Sequence, residues 1–330
     1  MNTYLALTDY RWFTFLASLP KLEEINFWQP GGNRAFGAIQ PNELFLFKLH
    51  SPREFIVGGG FFAHSSLLPV SLAWDAFGTA NGAASLEQMR AHIEQYRRQK
   101  PAGAEDYRIG CILLSQPFFL KEADWIPVPK DWSPNIVQGK TYDLTIEPGL
   151  TLYRQLQERL SLSITIREEI AAADVPAEKY GAPMEILPRL GQGIFRVVII
   201  DAYGRRCAVT GEKVLPVLDA AHIKPYSKDG THKPDNGILI RSDLHTLFDL
   251  GYVTITPQYR FEVSKHIPPL AKSSHRKTPD AHCSGGKRED YENGHEYYAL
   301  HGQAIHVPEK AVYKPAGENL AWHNENVYKG

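Results

Sequence analysis

The stretch that decides the fold of the second half of the chain reads AAHIKPY (residues 220–226) and, after a polar loop, DNGILIRSDLHTLFDLG (235–251). The apolar runs VLPVLDAAHI and ILIR each end at polar residues, which predicts two short strands. SDLHTLFD predicts a helix, with Ser242 or Asp243 as its N-cap and Gly251 just beyond its C-terminus. Strand, loop, strand and helix in this order predict a ββα unit.

The spacing of three polar residues in this unit carries a family resemblance. His222 ends the first strand, Asn236 follows fourteen residues later, and His245 lies on the helix nine residues further on. A single histidine at a strand end is more often an ordinary polar residue, but the joint pattern is specific. With it, the segment from Cys207 to Ile255 resembles the HNH nuclease family, in which a ββα fold grips one divalent metal ion.

This resemblance implies a role for each residue of the pattern. His222 would be the general base that activates water, and Asn236 would fix either the loop or the ring of that base. His245 would be a metal ligand, with Asp249, which follows on the same helical face, or Asp219 as a second ligand. Mg²⁺, Mn²⁺ or another divalent cation would neutralise the charge that develops on a phosphodiester, while the neutral imidazole takes the proton.

The chain also departs from the family pattern. Many members carry Asp or His just before the base, where this chain has Ala221. Many also hold a structural zinc ion with paired CxxC motifs, whereas CAVTG keeps only Cys207, so no structural zinc is expected. Three cations flank the motif and are either phosphate ligands or ordinary solvated charges. They are Arg205, Arg206 and Lys224.

The sequence on both sides of the motif extends the resemblance. RLGQGIFRVVIIDAYGRRCAVTG before it and GENLAWHNENVYKG after it are similar to bacterial predicted restriction endonucleases of the HNH class, over about residues 189–325. Residues 193–204 predict a helix because their apolar side chains share one face. GYVTITPQYRFEVSKHI alternates as a hairpin does, and 270–294 predicts a polar loop.

The front half shows strand patterns and a second resemblance. Residues 42–63 predict two strands with Gly58 to Gly60 at a bend or close backbone approach, 85–99 predict a helix, and 109–120 predict a strand. FWQPGGNRAFGAIQPNELFLFKL, IVGGGFFAHSSLLPVSLAWDAFG and WSPNIVQGKTYDL resemble the PUA-like superfamily, which includes the EVE and SRA domains. This implies a small β-barrel that stacks a nucleotide, rotated out of the duplex, between aromatic walls. The candidate pocket residues, whose alternative is barrel core or surface, are Trp28, Asn33, Phe36, Ser65, Trp74 and Trp132.

Length and composition fit two folded domains. The chain has 330 residues, of which 43% are hydrophobic, enough for two cores. We predict an α+β chain with a PUA-like β-barrel domain with helices at 1–147, a helical linker at 148–190 and the ββα-metal HNH domain at 191–330. The net charge of -1 excludes a globally basic coat protein but allows a local basic groove. Three cysteines without a CxxC, no signal peptide and no long apolar run predict a cytoplasmic protein without a membrane partner.

These features together predict a modification-dependent DNA endonuclease. The front domain would capture a modified cytosine in double-stranded DNA, and the back domain would hydrolyse a nearby phosphodiester. One ββα unit has one cleavage centre, whereas a double-strand break needs two cuts. We therefore predict a homodimer. Two alternatives stay open, namely a sequence-specific HNH restriction endonuclease and a non-catalytic protein that binds modified nucleic acid.

Overall fold

The computed structural model describes residues 2–31, 33–97, 106–172, 191–228, 230–267 and 295–330. They form two compact units, the front unit Met1–Ile194 and the back unit Phe195–Gly330. The predicted polar loop at 270–294 and the second part of the predicted linker lie outside the described residues, so the predicted domain boundaries stay a prediction. Within the described ranges, no helix has both the length and the apolar content needed to cross a bilayer.

The front unit is a mixed sheet with helices. Its elements are β1 (Asn2–Thr8), α1 (Tyr10–Ala17), β2 (Glu24–Gln29), β3 (Leu44–Leu49), β4 (Phe55–Pro69), α2 (Val70–Phe77), α3 (Leu86–Tyr96), β5 (Arg108–Phe119), β6 (Ile126–Pro127), β7 (Gly139–Asp143) and α4 (Gly149–Ala172). The strand order is β2-β5-β4-β3-β1-β7, with β6 paired to β4. The β1–β3 pair is parallel and the other pairs are antiparallel. The hydrogen-bonded path is open, and closure into a barrel stays a prediction.

The predicted strands and helix of the front half are confirmed at β3, β4, β5 and α3. Leu5, Leu46 and Ile56 form a buried cluster with Leu152 and Leu156 of α4, and each buried aliphatic side chain stabilises the fold by about 1.5–3 kcal/mol. The predicted close backbone approach is confirmed, because a Cβ on Gly58 would lie 2.3 Å from the carbonyl oxygen of Phe118.

The back unit contains the predicted ββα arrangement. Its elements are α5 (Gln192–Ala202, which begins at the end of the front unit), β8 (Leu218–His222), β9 (Gly237–Arg241), α6 (Ser242–Asp249), β10 (Val253–Ile255), β11 (Phe261–Val263), α7 (His295–Leu300) and α8 (Gly317–Asn326). β8 and β9 are antiparallel, with His222 opposite Gly237. α6 buries Leu244 and Phe248. β10 and β11 form the predicted hairpin. The predicted helix of residues 193–204 is confirmed as α5.

The predicted N-cap of α6 is wrong, because Arg241 occupies that position without a side-chain cap. Ser242 and Asp243 are already helical, and their side chains have other partners. The Ser242 hydroxyl donates to the carbonyl of Val217 at 3.2 Å. The Asp243 carboxylate accepts from the Arg241 guanidinium at 2.9 and 2.6 Å and from the Tyr297 hydroxyl at 3.1 Å. Each of these bonds takes the side chain to a group other than a backbone N–H of the first turn.

The other end of α6 follows the prediction. Gly251 has a φ of +74°, a conformation that favours glycine. Its N–H donates to the carbonyl of Phe248 at 2.9 Å, and the N–H of Tyr252 donates to that of Leu247 at 2.8 Å. This pair of bonds is a Schellman motif, which ends the helix and satisfies its last carbonyl groups.

Helix α8 holds α6 in place through the buried side chain of His323. The His323 ring stacks on Phe248, with 3.6 Å between ring centroids. Its Nε2 lies 3.1 Å from the carbonyl oxygen of Phe248, which can only accept, so Nε2 carries the proton. The Thr254 hydroxyl therefore donates to Nδ1 at 2.9 Å. Burial lowers the pKa of His323 to about 4, opposed by the bond to Phe248, so the ring is neutral at pH 7.

Candidate active site and aromatic cleft

Two histidine rings meet at the end of β8. Nε2 of His222 lies 2.9 Å from Nδ1 of His232. The His222 ring also stacks on Phe195, with 4.0 Å between centroids and 9° between planes. Both histidines are half-buried. Phe195 therefore holds one face of the predicted base, and His232 holds the edge that carries Nε2.

The electrostatic surroundings keep His222 neutral. Burial lowers the pKa of His222 to about 4, and the charges of His232 and His245 act in the same direction. A half-buried imidazole near two other imidazoles cannot readily carry a positive charge. At pH 7 the ring therefore has a lone pair available to accept a proton.

The structure brings the three predicted metal ligands together at His245. Nδ1 of His245 lies 3.3 Å from Oδ2 of Asp219, and its Nε2 lies 3.4 Å from Oδ2 of Asp249. Burial raises the pKa of Asp249, His245 opposes the rise, and the neighbouring charge of Asp219 adds to it. Two carboxylates near one another with an imidazole between them form an oxygen and nitrogen donor set.

Asn236 is buried and bonds only to backbone in the described part of the chain. Its Oδ1 accepts from the N–H of Lys224, while its Nδ2 donates to the carbonyls of Lys224 and Thr231, each at 2.9 Å. These bonds close the loop that connects β8 to β9. Of the two roles implied by the resemblance, the geometry has Asn236 on the loop rather than on the base ring.

The three predicted phosphate-binding cations have different surroundings. Nζ of Lys224 lies 5.5 Å above the ring of Trp322, which is within cation–π range. Arg205 pairs with Asp201 at 3.4 Å and is partly buried. Arg206 is exposed to solvent. Among the described residues, Arg206 has no ion pair that a phosphate would have to break.

Two residues of the site were not predicted. His232 lies in the polar loop KPYSKDGTHKPDNG, where a histidine resembles any other polar loop residue. The signal that could have found it is its position between the two motif histidines, four residues before Asn236. His323 belongs to the motif tail, but nothing local to AWHNEN indicates a contact with α6.

One comparison with known proteins concerns the back unit. The model of an HNH endonuclease family matches residues 207–256. This chain carries an HNH endonuclease domain. The match supports a nuclease, and HNH nucleases use divalent metals. A search of curated proteins finds no match to this chain.

Two solved structures are also similar to the chain, and both are ASCH domains, which have a PUA-like fold. One is ASCH from Zymomonas mobilis, with 14% identity, 35% of this chain and 69% of that chain covered, and a TM-score of 0.25. The other is a mutant of the Zymomonas mobilis ASCH protein, with 12% identity, 48% and 97% covered, and a TM-score of 0.28. Likeness at this level does not define the front unit, whose architecture follows from its own strand pairing.

The residues of the HNH domain fit a divalent ion by donor chemistry. Carboxylate oxygens and imidazole suit Mg²⁺ or Mn²⁺, although in the described ranges no group of three or more His, Cys, Asp or Glu side chains is arranged to hold a metal ion. Asp219 and Asp249 contact different ring nitrogens of His245. One carboxylate would therefore share the ion with His245, and the other would hold the opposite ring nitrogen.

We expect Asp219→Asn to weaken metal binding more than Asp249→Asn. The Asp219 carboxylate is 37% exposed and that of Asp249 is 59% exposed, so water screens the interaction of Asp219 with a cation less. Loss of one ligand or ring-orienting carboxylate should lower Mn²⁺ affinity about 10–100-fold. Calorimetric titration with Mn²⁺ measures both variants, with Asp235→Asn as the matched control. Equal affinity in all three variants would contradict the assignment.

The front unit contains an aromatic cleft of about 830 Å³. Three of the predicted pocket residues line it, namely Trp28, Asn33 and Phe36. Ser65 does not line the cleft, but it contacts a lining residue, since its hydroxyl oxygen accepts from the N–H of Phe36 at 2.8 Å. Half of the predicted set is therefore brought together at one cavity.

The other two predicted pocket residues lie elsewhere. Trp132 packs against the buried core cluster with the Lys48 ammonium 5.1 Å from its ring centroid. Trp74 belongs to α2, and its carbonyl accepts from the N–H of Gly78. Neither side chain lines the cleft. Trp132 therefore serves packing, which sequence pattern alone does not distinguish from a binding surface.

Polar groups surround the cleft at fixed positions. The indole N–H groups of Trp12 and Trp28 both donate to the carbonyl of Asn81 at 3.0 Å. The Tyr96 hydroxyl donates to Asp9 at 2.8 Å, and burial together with this carboxylate raises the pKa of Tyr96 to about 12. The cleft thus combines aromatic faces with an ionised carboxylate and a neutral phenol.

Proposed function

We propose that the chain is a modification-dependent DNA endonuclease, similar to type IV restriction enzymes and acting in the cytoplasm on double-stranded DNA that carries a modified cytosine. The observation that supports hydrolysis most directly is a neutral, immobilised His222 in an HNH domain, close enough to His245 to be affected by its charge. Phosphodiester hydrolysis requires a base beside a metal-ligand set, and this combination supports the assignment of those roles to His222 and His245.

In the proposed reaction, His222 takes a proton from a water molecule as the water oxygen attacks phosphorus. The stacking of His222 on Phe195 and its bond to His232 keep the ring oriented, so little order is lost on the way to the transition state. A divalent ion bound by His245 with Asp219 or Asp249 would supply positive charge to the phosphate oxygens. Arg206 and Lys224 would hold neighbouring phosphates.

In this proposal the front cleft receives the modified base. A cleft of about 830 Å³ has room for a pyrimidine with its sugar, as small-molecule sites are typically about 300–1,000 Å³. Trp28 and Phe36 would provide stacking faces, and Asn33 would provide hydrogen bonds to the edge of the base. Discrimination is needed because phosphate contacts carry no sequence information. Two HNH domains in a homodimer would cut both strands.

The test of the proposal compares plasmids that differ only in cytosine modification. The protein is incubated with methylated, hydroxymethylated and unmodified plasmid in Mg²⁺ or Mn²⁺, and cleavage is followed on a gel. Cutting restricted to one modified form is expected. Equal cutting of all forms would contradict the proposal that the front cleft binds a modified base, but not the proposal of a nuclease. It would favour a sequence-specific restriction enzyme.

We expect Trp28→Ala to weaken binding of modified DNA by about 5–150-fold, the cost of one lost base–aromatic stack of about 1–3 kcal/mol. The substitution leaves the carbonyl of Asn81 bonded to Trp12, so no buried acceptor is orphaned. Trp74→Ala is the matched control, because Trp74 is also half-buried in the front unit but lies outside the cleft. Fluorescence anisotropy with a modified oligonucleotide measures both affinities. Equal loss in both variants would contradict the cleft assignment.

A further inference from the structure

The hydrogen bond between the two histidine rings has a chemical consequence for the base. Nε2 of His222 and Nδ1 of His232 are 2.9 Å apart, and the ring planes are inclined by 65°. At this distance one proton lies between the two nitrogens, so one ring donates and the other accepts. Nε2 of His222 is therefore engaged, and it cannot receive a proton from water while the pair is intact.

The other nitrogen of the base ring has different surroundings. Phe195 stacks on a face of the His222 ring, so this contact does not engage a ring nitrogen. In the ranges that the structure describes, no hydrogen bond to protein engages Nδ1 of His222. Nδ1 is therefore the ring atom available to a water molecule.

The pairing of the histidines is built into the backbone by Asn236. Its amide donates to the carbonyl of Thr231, which precedes His232, and to that of Lys224, two residues after His222. One buried side chain thus fixes both chain segments that carry the rings. Their contact follows from this loop geometry rather than from the chance approach of two exposed side chains.

We propose that His232 is a positioning residue for the base. Its Nδ1 accepts a hydrogen bond from the Nε2–H group of His222, which leaves Nδ1 of His222 to take the proton from water. The inference rests on the proposed function of the HNH domain. The water proton moves to Nδ1, the water oxygen bonds to phosphorus, the bond from phosphorus to the leaving oxygen breaks, and that oxygen takes a proton from solvent. The resulting imidazolium of His222 still donates from Nε2 to Nδ1 of His232.

Two substitutions of His232 separate positioning from general structure. His232→Ala removes the acceptor, and we expect kcat to fall about 10–100-fold, the range found when a group that orients a metal-ligating histidine is lost. His232→Asn keeps an amide oxygen close to the former place of Nδ1, and it should restore most of the lost rate. His306→Ala is the matched control, because His306 is an exposed histidine of the back unit that contacts Tyr203. It should cleave at the unaltered rate.

Ring-nitrogen NMR of the resting protein gives a readout that does not depend on cleavage. At pH 7 the unaltered protein should show His222 with its proton on Nε2, and His232→Ala should show a mixture of both tautomers. A proton on Nδ1 of His222 in the unaltered protein would overturn the inference. Wild-type kcat in His232→Ala, or an asparagine variant no better than the alanine one, would also overturn it. Absence of cleavage by the unaltered protein would instead remove the proposed function, and the ring spectrum would still decide the tautomer.

Discussion

His222→Ala is expected to lower the rate of DNA cleavage by about 10²–10⁴-fold, the usual contribution of a positioned general base. The pKa of His222 is lowered to about 4, so the ring of the unaltered protein is neutral throughout the range where most nucleases are assayed. Alanine supplies no atom that could take the proton, whereas the metal-ligand set at His245 stays intact. Cleavage of a supercoiled plasmid measures the rate, and anisotropy measures DNA binding.

The same variant separates an enzyme from a binding protein. Lost cleavage with unchanged DNA affinity would support catalysis by His222. His306→Ala serves again as the control for the removal of a histidine from the back unit. If the unaltered protein and His222→Ala nick DNA at the same rate, the base is another group. If neither cleaves under any metal, the non-catalytic binder becomes the better description.

Asn236→Asp should destabilise the back unit by about 2–5 kcal/mol, although it only replaces the side-chain NH2 group by an oxygen atom. Nδ2 of Asn236 donates to the carbonyls of Lys224 and Thr231. A carboxylate oxygen in that place would face two acceptors without a proton, which combines an unpaired buried charge with two unsatisfied carbonyls. Protonation of the new carboxyl restores a donor, so its pKa should be raised and the loss should shrink as pH falls.

Hydrogen exchange is the suitable measurement for Asn236→Asp, because the two units need not unfold together. Faster exchange should appear in β8 and β9 and leave the front sheet unchanged. Asn326→Asp is the matched control, since Asn326 lies on the surface of α8 in the same unit. Unchanged protection of β8 and β9 would show that the three backbone bonds of Asn236 contribute little.

The sequence predicted the ββα unit well because its signals are local. The apolar runs of the two strands and the helix stop at Gly251 each depend on a few neighbouring residues, and these were confirmed. The N-cap of α6 was predicted wrongly because Asp243 bonds to Tyr297, which is 54 residues away in sequence. The partnership of His222 and His232 was missed for a related reason, since it depends on how Asn236 folds the loop.

Less of the front unit could be predicted. Apolar runs identified β3, β4 and β5, but the order of the sheet places β1 parallel to β3 and beside β7. Such pairing between distant strands leaves no local pattern. The aromatic residues were ambiguous for the same reason, because Trp28 and Trp132 differ only in what surrounds them in three dimensions.

The contact of His323 with Phe248 spans 75 residues of sequence, and this has a consequence for protein synthesis. At about 5–20 residues per second, a ribosome makes Phe248 about 4–15 s before His323. During that interval the helix that carries His245 lacks the ring that covers Phe248 and the partner of the Thr254 hydroxyl. We therefore expect a nascent chain to complete the packing around α6 only after α8 has emerged.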